Sequence, residues 1–153
     1  MPTPAHQAQT NPEFDQLLHG LLYSLLSWKQ LADFWPKIDI QAGWYLYAVG
    51  ETVPETAASA SDVSDFIQRI DALLHRDHKE DYCGIVYADN LDHPRLVKIY
   101  DPNNLGVSCG SSKNPPLPGW IMSTMPPSQL HPNGIIPANR RRWWQSFLTK
   151  EAL

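Results

Sequence analysis

Cys109 is the side chain in this chain best suited to chemistry, because its surroundings are unusual. It stands in Gly106-Val-Ser-Cys-Gly-Ser-Ser112, directly after a credible strand and inside a stretch, 101–129, that holds three glycines, six prolines and three asparagines. A thiol among small residues can be approached closely, and successive backbone N–H groups in a glycine-containing turn can hold an anion or oxyanion. Cys109, Gly110, Ser111 and Ser112 are therefore the candidate binding residues of this loop, with Cys109 as a candidate nucleophile. A nucleophilic cysteine also needs a base or another device that favours the thiolate. Histidines stand at 75, 78, 93 and 131, and nothing in the sequence brings any of them to Cys109. Free cysteines are also among the most commonly buried residues, so a structural role is the first reading.

Other patterns for chemistry fail on spacing. A phosphate-binding loop needs G-x-x-x-x-G-K-[ST] running into a helix. Here Gly106 and Gly110 are one residue too close, and Asn114-Pro115-Pro116 forbids the helix. His75, His78, Cys83 and His93 match no closed zinc pattern, and His75, Arg76, His78 and Lys79 suit the last turn of a helix, where cations meet exposed carbonyls. No G-x-S-x-G elbow exists, and the acids are scattered over helix faces and turns. The sequence thus implies no metal and no cofactor.

Two features suit recognition better than catalysis. Pro115-Pro116-Leu117-Pro118, followed by Trp120, resembles a polyproline ligand, whose pre-extended backbone loses little entropy on docking. The plainer reading is a rigid crossover anchored by Trp120. Arg140-Arg141-Arg142 opens the final helix, where three cations oppose the helix dipole. Beside Trp143 and Trp144 they could meet phosphate or an acidic protein surface, or pair internally with acids such as Asp62, Asp65 or Asp71.

The elements that must position these residues follow from periodicity. Residues 1–10 read as a disordered tail, and 11–153 as one domain. Asn11, Pro12 and Glu13 start a helix whose apolar residues Phe14, Leu17, Leu18, Leu21, Leu22, Leu25 and Trp28 carry it to about Phe34. Gly43 to Val49 is a strand, and 51–60 a flexible linker. A second helix begins near Ser61, with Val63, Phe66, Ile67, Ile70, Leu73 and Leu74 on one face. Tyr82 to Ala88 and Arg95 to Tyr100 form a hairpin, 101–118 is a long Pro/Gly-rich loop region, and Trp120 to Met125 adds a fourth strand. A helix over Ala138 to Lys150 closes the chain. The order α-β-α-β-β-(β)-α predicts an α+β fold, two-layered, with a mixed, mostly antiparallel sheet of three to four strands. Its β-α-β step favours a parallel crossover.

Composition bounds the function. The chain has 153 residues, 42 % of them apolar and 18 % charged, with a net charge of −4. An acidic balance argues against general nucleic-acid binding, which needs a basic face. The apolar run Leu21 to Leu26 is too short to span a bilayer, and Met1 to Thr10 has no basic start or apolar core. Two cysteines and no leader point to a soluble protein of the reducing cytoplasm. The reading that follows is a non-enzymatic adaptor, accessory or regulatory domain. It binds another protein through Pro116, Pro118 and Trp120 of the Pro/Gly-rich loop and Arg140, Arg141 and Arg142 of the Trp/Arg-rich C-terminal third. The rivals are a thiol-dependent enzyme or redox-sensitive protein using Cys109, and a sensor of a small anionic ligand.

Overall fold

The computed structural model describes residues 9–105, 117–131 and 136–149. Among these residues there are four α-helices, α1 (Pro12–Leu18), α2 (Trp28–Phe34), α3 (Ala60–Asp77) and α4 (Ala138–Thr149), and five strands. The strands are β1 (Tyr23–Ser24), β2 (Tyr45–Ala48), β3 (Val86–Ala88), β4 (Leu96–Ile99) and β5 (Trp120–Ser123). They form one sheet in the order β1-β3-β4-β5-β2 with every neighbour antiparallel. The α+β class is as the sequence implied, with β1 as the added fifth strand.

The parallel crossover does not form. β2 and β3 lie three positions apart in the sheet, and α3 carries the chain between them. At 18 residues α3 is about 27 Å long, enough to cross the sheet rather than return beside β2. Strand order depends on contacts far apart in sequence, which a local β-α-β pattern does not encode.

The long first helix is also divided. Asn11 caps α1 by accepting from the Glu13 N–H, but the helix stops at Leu18. Gly20 follows, with its N–H on the Leu17 carbonyl; a Cβ there would lie 2.8 Å from the Gln16 carbonyl oxygen. A fresh helix then starts from a capping box. Ser27 accepts from the Gln30 N–H at 3.0 Å, and Gln30 Oε1 accepts from the N–H groups of Ser27 and Leu26. Replacing Ser27 by Ala is expected to cost about 1 kcal/mol, and by Gly only a few tenths. Urea denaturation of both variants checks this, and equal losses would contradict the cap.

Alternation along the strands divides the core in two. Leu46, Ala48, Val86, Ala88, Val97, Ile99, Trp120 and Met122 face α3 and α4, and pack with Phe66, Ile70, Leu74, Trp144 and Phe147. Tyr47, Leu96 and Ile121 face the opposite side and pack with Phe14 and Leu18 of α1. Residues 51–60 are joined to the body: Val53 is buried, and the Ala58 N–H donates to the Trp44 carbonyl at 2.7 Å. Just before α1, Gln9 Nε2 donates to the Pro127 carbonyl and the Asn11 N–H to Ser128 Oγ.

Candidate functional site

The base of the 101–118 loop is built around Arg140. In the first turn of α4 the three arginines diverge: Arg140 is 4 % exposed, while Arg141 and Arg142 are exposed. Helical phase accounts for this, because Arg140 lies on the same face as Trp144 and Phe147, which are buried against Phe66. A buried guanidinium requires partners. Arg140 donates through Nε to Asp101 Oδ2 at 2.9 Å and through Nη2 to Asp101 Oδ1 at 3.0 Å. Nη2 also lies 2.8 Å from Asp77 Oδ2, and Arg76 approaches Asp77 through its own Nε at 2.9 Å. Two cations and two carboxylates thus join the last turn of α3, the end of β4 and the start of α4.

The electrostatics follow the geometry. Burial alone would lower the Arg140 pKa, but the hydrogen bonds and charge of Asp101, and then of Asp77, raise it above its ordinary value. The Asp77 carboxyl is held at about 2, first by its hydrogen bonds from Arg76, against the opposing effect of burial, and then by Arg140. Asp101 has a further task, since Oδ1 accepts from the Asn103 N–H at 2.9 Å and caps the short turn Pro102–Asn104.

The other end of the loop returns to the same place. Gly119 donates to the Ile99 carbonyl at 2.9 Å and accepts from the Val49 N–H at 3.0 Å. A Cβ on Gly119 would come within 3.1 Å of Asp101 Cβ, so the two ends touch. Pro118 and Trp120 are buried here, the latter with its ring edge-on to Trp143 at 5.5 Å. Cys109, Gly110, Ser111, Ser112 and Pro116 lie outside the described residues.

Among the described residues, His78, Cys83, His75 and Tyr47 take part in holding the fold. His78 is 7 % exposed at the end of α3 and donates through Nε2 to the Cys83 carbonyl at 3.0 Å. The Cys83 thiol is buried, and burial pushes its pKa up. His75 stacks on Trp28 at 4.2 Å and approaches Asp71 at 3.5 Å, while Asp71 accepts from Trp35 Nε1. Tyr47, buried in the sheet, accepts from the Leu130 N–H through its hydroxyl, and burial raises its pKa. Among the described residues no three His, Cys, Asp or Glu side chains gather as metal ligands. Nor is any described helix long and apolar enough to cross a membrane.

Comparison with known proteins does not decide the question. No family model, curated protein or solved structure matches the chain. The site therefore stands on its own geometry.

Internal pairing of the arginines with acids such as Asp62, Asp65 or Asp71 is one of the alternatives that the sequence leaves open. The structure gives Arg140 to Asp77 and Asp101, and brings Arg141 to 3.6 Å from Glu51. A local signal for Arg140 did exist, namely its i, i+4, i+7 relation to Trp144 and Phe147. The long-range partners left no such trace. A groove of about 470 Å³ between the Trp35–Lys37 turn and α3 was not visible in the sequence either. Trp35, Pro36, Ile38, Ile40 and Ile67 wall it, with Asp39 as its one ionisable lining residue, so it suits apolar contact rather than acid–base work.

Proposed function

We propose that the protein is a non-enzymatic accessory domain that binds another protein through the 101–118 loop and the exposed first turn of α4. The observation that carries this reading is the buried Arg140–Asp101 pair, which fixes the loop base and the start of α4 in one rigid frame. Arg141 and Arg142 are exposed on that frame, beside the point where the loop leaves and returns. A rigid frame lowers the ordering cost of a contact surface, and arginine is favoured at binding hot spots. Arg142, with Arg141 beside it at 3.6 Å from Glu51, suits a partner with an acidic surface, and the small-anion reading fits less well because Arg140 is already paired twice.

The test is affinity capture from the native host's lysate with wild type, an Arg141→Glu/Arg142→Glu variant, and a variant with 111–118 replaced by Gly/Ser. Circular dichroism establishes beforehand that all three are folded. A partner held by wild type should be lost at least about tenfold from both variants, and released by added salt. Identical capture by all three baits would remove this reading.

A further inference from the structure

The groove between the Trp35–Lys37 turn and α3 shares no residue with the loop base, and its walls are fixed. Trp35, Ile40 and Ile67 are partly buried and pack on the core, and Ile38 is fully enclosed beneath them. Trp35 Nε1 donates to Asp71 Oδ1 at 3.0 Å. That bond runs from one wall to the helix that forms the other, so it sets their separation. A volume of about 470 Å³ lies within the ~300–1,000 Å³ typical of small-ligand pockets.

One carboxylate lines this groove, and its position is set by three hydrogen bonds. The Asp39 carbonyl accepts from Trp44 Nε1 at 2.6 Å and from the Ala42 N–H at 3.0 Å. Asp39 Oδ1 accepts from the Gln41 N–H at 3.0 Å, whereas Oδ2 accepts from no described residue. No described cation pairs with it either. Lys37 is turned to Asp92 at 3.0 Å, and Arg69 of α3 to Asp65 at 2.9 Å. Ser64 and Gln68 complete the α3 wall as neutral groups, so no second acid is at hand to share a metal ion.

We propose that this groove binds a small organic ammonium with an apolar body. The ammonium donates to Asp39 Oδ2, and the body lies on Ile38, Ile40 and Ile67. Charge complementarity selects the class. A neutral apolar ligand leaves the carboxylate oxygen unpaired against apolar surface, and an anion meets a like charge. Size selects a free small molecule over a docked protein. Eight residues line the groove, against about 20–30 on each side of a stable protein–protein contact. Because Asp39 is exposed, its charge adds selectivity more than strength.

Titration of the full chain with 2-phenylethylammonium chloride near neutral pH, followed by ¹H–¹⁵N correlation spectra, tests this. The amides of Ile38, Ile40, Ser64 and Ile67 should shift saturably, with half-saturation on the order of 1 mM. 2-Phenylethanol, the neutral counterpart, should bind at least about threefold more weakly, and 3-phenylpropionate should not saturate. Asp39→Asn keeps the acceptor for the Gln41 N–H, so it should fold normally and bind amine and alcohol alike. Arg141→Glu/Arg142→Glu should bind the amine like wild type, which separates this site from the one at the loop base. Three results would overturn the proposal: no saturable shift at roughly ten times that concentration, equal binding of the alcohol, or an Asp39→Asn variant that still prefers the amine. Shifts of the same amides on simple dilution would make a second copy the occupant, and would overturn it as well.

Discussion

Arg140→Met is expected to destabilise the fold by about 3–5 kcal/mol, the loss typical of breaking a buried ion pair from one side. The reason lies less in the lost attraction than in what remains. Asp101 is 7 % exposed, and without Arg140 its carboxylate is a buried charge whose partner has been removed. The double variant Arg140→Met/Asp101→Asn should recover at least half of that loss, because Asn carries no charge and still caps the Asn103 N–H. Losses that simply add in the double variant would show that the two side chains are not coupled. The acid limb of stability gives an independent reading. The Asp77 carboxyl sits at about 2 against an ordinary 3.8, so its contribution is complete above about pH 4 and disappears as pH falls toward 2. With its side chain 19 % exposed, screening limits that contribution to about 1–2 kcal/mol. Arg140→Met should therefore also flatten the decline between pH 4 and pH 2, by the share of the Asp77 shift that Arg140 supplies.

The same residues show how far the fold was legible in the sequence. α3 was plain, because Val63, Phe66, Ile70, Leu73 and Leu74 repeat at helical spacing and all five are buried. The hairpin was plain too, though its strands shrink to Val86–Ala88 and Leu96–Ile99. The first helix was misjudged because apolar periodicity ran on through a break. Leu21 keeps the helical phase, yet it is the most exposed large apolar side chain among the described residues. Gly20 and the Ser27/Gln30 capping box were local signals for that break, and periodicity outweighed them. The parallel crossover failed for another reason. β5 lies between β4 and β2, and the pairing of Tyr45 with Ser123 spans about half of the chain. Local pattern carries no information about such a pairing.

For the candidate site, chemistry was legible by type and not by partner. The sequence shows three arginines opposing a helix dipole, and the structure shows how one of them is compensated, by carboxylates 39 and 63 positions earlier. The β1 edge was hidden for a related reason. Leu21 reads as core while it is assigned to a helix, and as surface only once the chain has turned at Gly20.

Phe66→Ala should be the most damaging single core truncation for the proposed function, at about 3–5 kcal/mol. Phe66 is fully buried, with edge-on contacts to Trp143, Trp144 and Phe147 at 6.3, 6.3 and 5.8 Å. Those three rings are the face by which α4 sits on α3, so the cavity opens at the joint between the helices rather than within one. α4 also carries Arg140, and the loop base depends on its position. Phe66→Leu, which refills most of the volume, should lose less than half as much. Guanidinium denaturation of the two variants measures the stability change. Hydrogen exchange at the Asn103 and Gly119 amides measures the coupling, because both report the loop base. Faster exchange at both amides in Phe66→Ala, beyond the rise set by global stability, would show that the α3–α4 joint holds the loop in place. Exchange that follows global unfolding alone would mean that the Arg140 knot holds the base without help from the aromatic joint.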